Sequence, residues 1–270
     1  ERRAFEAIIA DPKRHKQYLK EKEEEQKAQL AHKGKLLHNK RLRQSERDTL
    51  EKQDLGKQPD FTDENGIFDP KMAAQAELAK RELARRHLLP FVQRFNDNYI
   101  PGWVHKDICL RLEKFSADVD AKKSPRLMLF MPPRHGKSEL ASKTFPAWHL
   151  GRYPDHEFIA CSYSGSLAMG FSRKVRGFLR DQQYQSLFET RLDPESQGAE
   201  QWLTTKGGGY VAAGVGGPIT GKGAHILVID DPVKNREQAE SETARQTAKD
   251  WYTSTAYTRL APGGGILVIL

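Results

Sequence analysis

The stretch RLMLFMPPRHGKSEL, residues 126–140, decides the fold. Arg126–Met131 is a short apolar run, the pattern of a strand, and a tight loop with two prolines follows it. Gly136-Lys137-Ser138 then opens a helix expected over Lys137–Leu150. Strand, loop and helix in that order are the context a phosphate-binding loop requires. The loop Pro133-Arg134-His135-Gly136 and the positive helix end would cradle a β-phosphate through backbone N–H groups. Lys137 would reach the β- and γ-phosphates, and the Ser138 hydroxyl would ligate Mg²⁺. Met131 stands where the common pattern has its first Gly, and Gly-Lys-Ser taken alone could be a simple helix cap.

A second motif supports the first. In HILVIDDP, the apolar run Ile226–Ile229 is a buried strand whose end presents Asp230 and Asp231. A nucleotide hydrolase needs one carboxylate for Mg²⁺ and its water shell, and another to orient or deprotonate the attacking water. Adjacent strand residues face opposite ways, so both carboxylates reach one site only if the chain bends after Asp230, and Pro232 allows that. By itself Asp-Asp-Pro could be a strand end capped by turn-forming residues.

Between and beyond these motifs, short apolar strands alternate with helices. Strands are expected at Glu157–Ser162, Gln201–Thr205, Tyr210–Ala213, Ile226–Ile229 and Gly265–Leu270. The second and third of these form a hairpin across Gly207-Gly208-Gly209. Helices are expected at Ser164–Arg180 and, as one long element, at Arg236–Arg259. This alternation means βαβ units and an α/β fold with a mainly parallel sheet covered on both faces. Upstream, Asp69-Pro70 reads as a helix start. The helix should continue through MAAQAELAKRELARRHLLPFVQRF with a bend at Pro90, and a second helix covers VHKDICLRLEKFSADV.

The first 58 residues differ in kind. They hold 16 basic and 11 acidic residues, and so most of the chain's net charge of +8. Ala, Leu, Lys, Glu, Gln and Arg dominate, which predicts a solvated helical arm or a helix that docks on a partner or on nucleic acid. The domain reading is therefore an arm over 1–58, a linker and small helical subdomain over 59–122, and a core over 123–270. No apolar run approaches the roughly 18 residues of a membrane helix. Two cysteines, Cys109 and Cys161, make neither a disulfide framework nor a metal knuckle, which fits a reducing compartment. The chain opens on Glu1 and closes within GGGILVIL, and it reads as a piece of something longer.

The stretches PPRHGKSE, GVGGPITGKGAHILVIDDPVKNREQAES and WYTSTAYTRLAPGGGILVIL resemble the ATPase domain of the large terminase subunit of tailed bacteriophages. The resemblance extends over roughly residues 70–270, and the missing first Gly is typical of that family. It implies a RecA-like (ASCE) P-loop fold, ATP and Mg²⁺ as cofactors, and hydrolysis that drives double-stranded DNA into a procapsid. It places Lys137 and Ser138 at the phosphate and Mg²⁺ positions and Asp230 at the Mg²⁺-linked acid. Asp231 falls where many relatives carry a catalytic Glu. Arg134 matches a basic residue proposed as a finger in cis. Lys222, Arg173 and Arg176 are the candidates for a finger supplied to a neighbouring subunit. Tyr99, Trp103 and His105 are candidates for the adenine, with Trp103 foremost, although they could equally pack a helix corner. Implied partners are DNA, a portal protein, a small terminase subunit and further copies in a ring, a pentamer on the portal, in the host bacterial cytoplasm. The RNase H-like nuclease domain of full-length large terminases has no counterpart in residues 1–270. A helicase-like ATPase and a nucleotide-independent DNA-binding scaffold are the alternatives, although DDPV is not a helicase DExD or DExH box.

Overall fold

The structure, a computed structural model, is described for residues 70–270. The charged arm, the linker and the Asp69 cap lie outside those residues.

Three helices lead into the sheet: α1 (Pro70–Arg86), α2 (Leu88–Phe95) and α3 (Trp103–Asp120). The break between α1 and α2 falls at His87, ahead of the bend expected at Pro90. The reason is the proline ring, which excludes the carbonyl four residues back from a continuous helix. Starting afresh at Leu88 puts Pro90 in a first turn, where a missing N–H costs nothing. The new end is held from α3, since Glu113 accepts from the Leu88 N–H at 2.6 Å. The freed Arg86 carbonyl accepts from Arg152 at 3.4 Å.

Strand β1 (Arg126–Leu129) follows, then the phosphate-loop candidate and a helix that begins at Lys137. That helix widens into a π-helical stretch, Glu139–Thr144, before continuing as α4 (Phe145–Arg152). Next come β2 (Glu157–Ser162), α5 (Gly165–Arg180), a short α6 (Gln182–Leu187), β3 (Leu192–Gln197), β4 (Gln201–Thr204), β5 (Gly209–Gly214) and β6 (Ala224–Asp230). The helix expected over 236–259 is broken into α7 (Arg236–Glu240), α8 (Glu242–Trp251), a π-helical turn at Tyr252–Ala256 and a 3₁₀ turn at Tyr257–Arg259. Side-chain capping explains the first break. Ser241 has an extended backbone, and its hydroxyl accepts from the Ala244 N–H at 3.3 Å, so a new helix starts there. The last strand, β7 (Leu260–Ile269), begins earlier than its apolar end suggests.

The sheet order is β1-β7-β6-β2-β5-β4-β3. The first five strands in that order run parallel, and β4 and β3 are antiparallel additions. The result is an α/β fold with a mostly parallel mixed sheet, compatible with a RecA-like fold. The hairpin of β4 and β5 is as the sequence suggests. Strand β3, LDPESQ, has no strand pattern, and Pro194 is tolerated because β3 is the sheet's outer edge.

Both faces of the central strands are buried, and alternate residues serve alternate faces. Phe158, Ala160, Ile226, Val228, Leu267 and Ile269 join a core with Leu88, Phe91, Leu112, Phe145 and Trp148 of the first four helices. Ile159, Cys161, Leu227, Ile229 and Ile266 join a second core closed by Trp251 and Ala256. The close fit of α3 on β7 depends on Gly265. A Cβ there would stand 2.5 Å from the Phe115 ring and 2.7 Å from Val119.

At the amino ends of the strands lies a chain of imidazoles. Buried His149 is hydrogen-bonded to the Ser116 hydroxyl at 2.7 Å and to His156 at 3.0 Å, and His156 stacks on His225 at 4.3 Å. Burial holds His149 well below the usual histidine range, and burial also lowers His156. The unfolded chain therefore takes up protons that the folded one refuses. The contribution of these two histidines to stability is full above about pH 6.5, the ordinary histidine value, and is lost as pH drops below it. His87, raised by its bond to Glu113, contributes with the opposite sign. Thermal melts at pH 7.5 and pH 5.5 should show a loss of several degrees at the lower pH. His149→Phe should reduce that loss.

Candidate functional site

All the segments that bear polar side chains toward one another leave the carboxyl ends of parallel strands. The loop after β1, the turn after β2 and the turn after β6 enclose an open cavity of about 460 Å³. Its lining includes Pro133, Arg134, Gly136, Lys137, Ser138, Glu139, Tyr163, Asp231, Val233 and Lys234. The helices after β1 and β6 leave to opposite faces of the sheet, the arrangement that opens a crevice at the strand ends.

The loop reaches this shape through two left-handed residues, Arg134 (φ 64°) and Gly136 (φ 82°). For Gly136 that conformation is free, whereas for Arg134 it costs on the order of 1–2 kcal/mol. Its inner wall is tied to the start of α3. His105 Nδ1 accepts from the Gly102 N–H at 3.0 Å, which leaves the ring proton on Nε2 to donate to the His135 carbonyl at 3.0 Å. The His135 ring in turn donates from Nδ1 to the Pro133 carbonyl at 2.8 Å.

Lys137 lies in the first turn of its helix, 9% exposed, and its ammonium donates to Asp231 Oδ1 at 2.9 Å. This contact joins two segments 94 residues apart. The bend that brings Asp231 round occurs at Asp231 itself, with φ 46°. Its N–H donates to the Ile269 carbonyl at 2.9 Å, and its carbonyl accepts from the Tyr163 N–H at 3.1 Å. The ends of β7 and β2 thus clamp the turned residue.

Asp230, the last residue of β6, is 2% exposed. One carboxylate oxygen, Oδ2, accepts from the Ser142 hydroxyl at 2.5 Å, and the other, Oδ1, is buried with no partner. Burial pushes the carboxyl above its ordinary range, and the charge of Asp231 adds to that. The Ser142 and Ser138 hydroxyls and the Lys137 charge pull the other way.

The fold gathers Pro133, Arg134, Gly136, Lys137, Ser138 and Asp231, all expected from the sequence, around one cavity, and Asp230 is buried next to Asp231. His135 is an exposed loop residue whose ring bonds within the loop. Trp103 is 74% exposed and outside the cavity lining. Tyr99 packs edge-on against His105 at 5.8 Å. Lys222 lines a different cavity, with Glu200 and Gln201, and donates to the Gln201 side chain at 2.7 Å. Arg176 donates to the Gln197 carbonyl, and Arg173 is exposed. Ser142, Tyr163 and Lys234 were not singled out from the sequence. For Ser142 a signal existed, because it stands four residues after Ser138 and so on the same helix face.

Parallel strands covered on both faces, a left-handed loop into a helix after β1 and two carboxylates at the end of β6, one strand removed, define an α/β protein with a polar crevice at its strand ends. Over residues 128–266, just over half of its length, the chain matches the family described as terminase large subunit, T4likevirus-type, N-terminal. The chain belongs to that family, whose role is in packaging phage DNA. No curated protein matches it. Among the described residues, no helix is long and apolar enough to cross a membrane.

The His105 tether has a measurable consequence. His105→Phe keeps the ring volume and removes both hydrogen bonds. Amide exchange at Gly136 and Lys137 should then accelerate about tenfold, the scale of one lost hydrogen bond. An unchanged exchange rate would mean that the loop holds itself.

Proposed function

We propose that this chain is the ATP-hydrolysing motor domain of a terminase large subunit, turning ATP hydrolysis into movement of double-stranded DNA into a procapsid. The observation that carries the reading is the contact of Lys137 with Asp231 above buried Asp230, at the mouth of a left-handed loop. A P-loop hydrolase needs a cation for the transferring phosphoryl group, a base or orienting acid for water and an acid for the metal, in that geometry.

The residues present fit Mg²⁺. Asp230 Oδ1 is a buried acceptor without a partner, and Ser138 lies beside the same carboxylate. Ser138 and Asp230 would hold the ion, in keeping with its habit of using few protein oxygens together with water and nucleotide phosphates. Bound there, Mg²⁺ supplies neutralisation of the charge on the phosphate oxygens.

This chain's own residues account for the rest. The loop amides and the first turn of the Lys137 helix receive the β-phosphate. Lys137 turns from Asp231 to the β- and γ-phosphates, because a phosphate is the stronger competitor for its ammonium. Asp231, released, is free to orient the attacking water. Arg134, on the cavity wall, is the finger candidate in cis, and Lys222 is the candidate presented to a neighbouring copy. Trp103, exposed next to the His105 tether, is the candidate platform for the adenine ring. Double-stranded DNA would be gripped by its phosphates, so binding should tolerate any sequence and weaken with salt. A portal protein, a small terminase subunit and a ring of copies complete the proposed assembly, in the cytoplasm of the host bacterium.

Lys137→Ala should abolish ATP turnover while leaving the melting temperature of the free protein within a few degrees. Asp231→Asn should keep nucleotide binding and lose turnover by about 100-fold or more, the scale of a positioned acid–base group. Both variants are tested by steady-state phosphate release beside ATP-dependent thermal shift. An active Lys137→Ala protein would sink the assignment. Wild-type turnover per chain that rises with protein concentration would favour the finger in trans, and flat turnover would favour Arg134.

A further inference from the structure

The hydroxyl of Ser142 is aimed at the metal-side carboxylate in a way the hydrolase reading does not require. Ser142 is 1% exposed and lies within the π-helical stretch Glu139–Thr144. One extra residue in a helical turn is a costly feature, found mostly where a side chain must be re-aimed for function. Here the stretch is stabilised locally. The Phe145 N–H reaches the Leu140 carbonyl five residues back, the Thr144 hydroxyl donates to the Glu139 carbonyl at 2.8 Å, and Lys143 pairs with Glu139 at 2.6 Å. Within it, Ser142 donates to Asp230 Oδ2 at 2.5 Å. Ser138, one turn earlier on the same face, stands by the same carboxylate.

We propose that Ser142 is a positioning residue for Asp230: its hydrogen bond occupies Oδ2, fixes the carboxylate plane and so dedicates Oδ1 to the Mg²⁺ side of the site. This rests on the hydrolase reading above and assigns its metal acid a second partner. The two carboxylate oxygens are inequivalent in the structure, one bonded and one buried alone, and Ser142 is the group that makes them so. Without its hydroxyl the carboxyl group can rotate or turn toward Lys137, and the metal loses a preoriented ligand. Partners of this kind behind metal-holding carboxylates typically change metal affinity by about 10–100-fold.

The test separates metal binding from nucleotide binding. Binding of ATPγS to the 270-residue chain is measured by calorimetry, in EDTA and across a Mg²⁺ titration, for the wild type, Ser142→Ala, Ser142→Thr and Lys137→Ala. The expected result for Ser142→Ala is metal-free affinity unchanged within about twofold and a half-saturating Mg²⁺ concentration raised about tenfold or more. Ser142→Thr, which keeps the hydroxyl, should return toward the wild-type Mg²⁺ requirement. The proposal is overturned if Ser142→Ala shows the wild-type Mg²⁺ requirement. It is equally overturned if metal-free and metal-dependent binding weaken together in both Ser142 variants, which marks a packing role. A wild type that binds ATPγS no better than Lys137→Ala would instead defeat the hydrolase reading itself. Should Ser142→Ala fail to fold, the Mg²⁺ requirement of Ser142→Thr decides, since a hydroxyl retained at that position must keep it near the wild-type value.

Discussion

The buried carboxylate of Asp230 is the constraint around which the rest is arranged. An unpaired carboxylate at 2% exposure would be severely penalised, and simple protonation would remove the charge that makes it useful. The fold answers with hydroxyls and a nearby ammonium, not with a direct ion pair. Ser142 bonds one oxygen, Ser138 lies beside the group, and Lys137 contributes charge from its pairing with Asp231. Each of these comes from a single helix that starts immediately after the β1 loop. The position of that helix against β6 is therefore what the tight core must secure. Phe145 and Trp148 below, and the Gly265 contact that seats α3 on β7, supply that security.

Function-bearing groups sit on loops, and the sheet beneath them is rigid because both faces are packed. Two of the described non-glycine residues in left-handed conformation, Arg134 and Asp231, lie on the wall of the same cavity. Such conformations persist where surrounding bonds over-determine them. For Asp231 those bonds are to Ile269 and Tyr163, the ends of β7 and β2. For the Arg134 loop the outside support is His105 from α3. A strand order with β7 between β1 and β6 thus has a local use. It leaves the Asp231 amide within reach of the β7 end while holding the β1 loop one strand away.

Much of this was legible in the sequence because it follows from short-range rules. An apolar run such as Ile226–Ile229 reads as a central strand, and Gly136-Lys137-Ser138 after the apolar run of β1 reads as a loop entering a helix, although β1 itself lies at the sheet's edge with Met128 and the adjoining Phe130 exposed. The need for a bend near Asp230 followed from the alternation of strand side chains. What escaped depends on distant partners. Nothing in LDPESQ marks an edge strand, because its pairing is dictated by β4. The break at Ser241 turns on one capping hydroxyl in a segment of good helix formers. The π-helical widening at Glu139–Thr144 leaves no trace in composition, although the Ser138–Ser142 spacing pointed at a shared face. The role of His105 in holding the loop needed the fold to bring two segments 30 residues apart together.

The charge balance of the cavity bears on where its last cation comes from. Its lining offers Arg134, Lys137 and Lys234 against Glu139 and Asp231, and buried Asp230 brings the two signs level. A magnesium-bound triphosphate remains negative, so under the proposed function the closed site would carry surplus negative charge just as more gathers on the phosphoryl oxygens. Arg134 already belongs to that balance, and recruiting it changes its position without adding charge. Lys222 does not belong to it. Its ammonium is paired to the neutral Gln201 side chain in another cavity, a bond that can be exchanged without stranding a buried charge. A cation presented by a second copy would correct the deficit that residues within one chain leave. Under the proposed function, then, the charges of one chain would suffice to bind nucleotide, and hydrolysis would be the step that benefits from a neighbour.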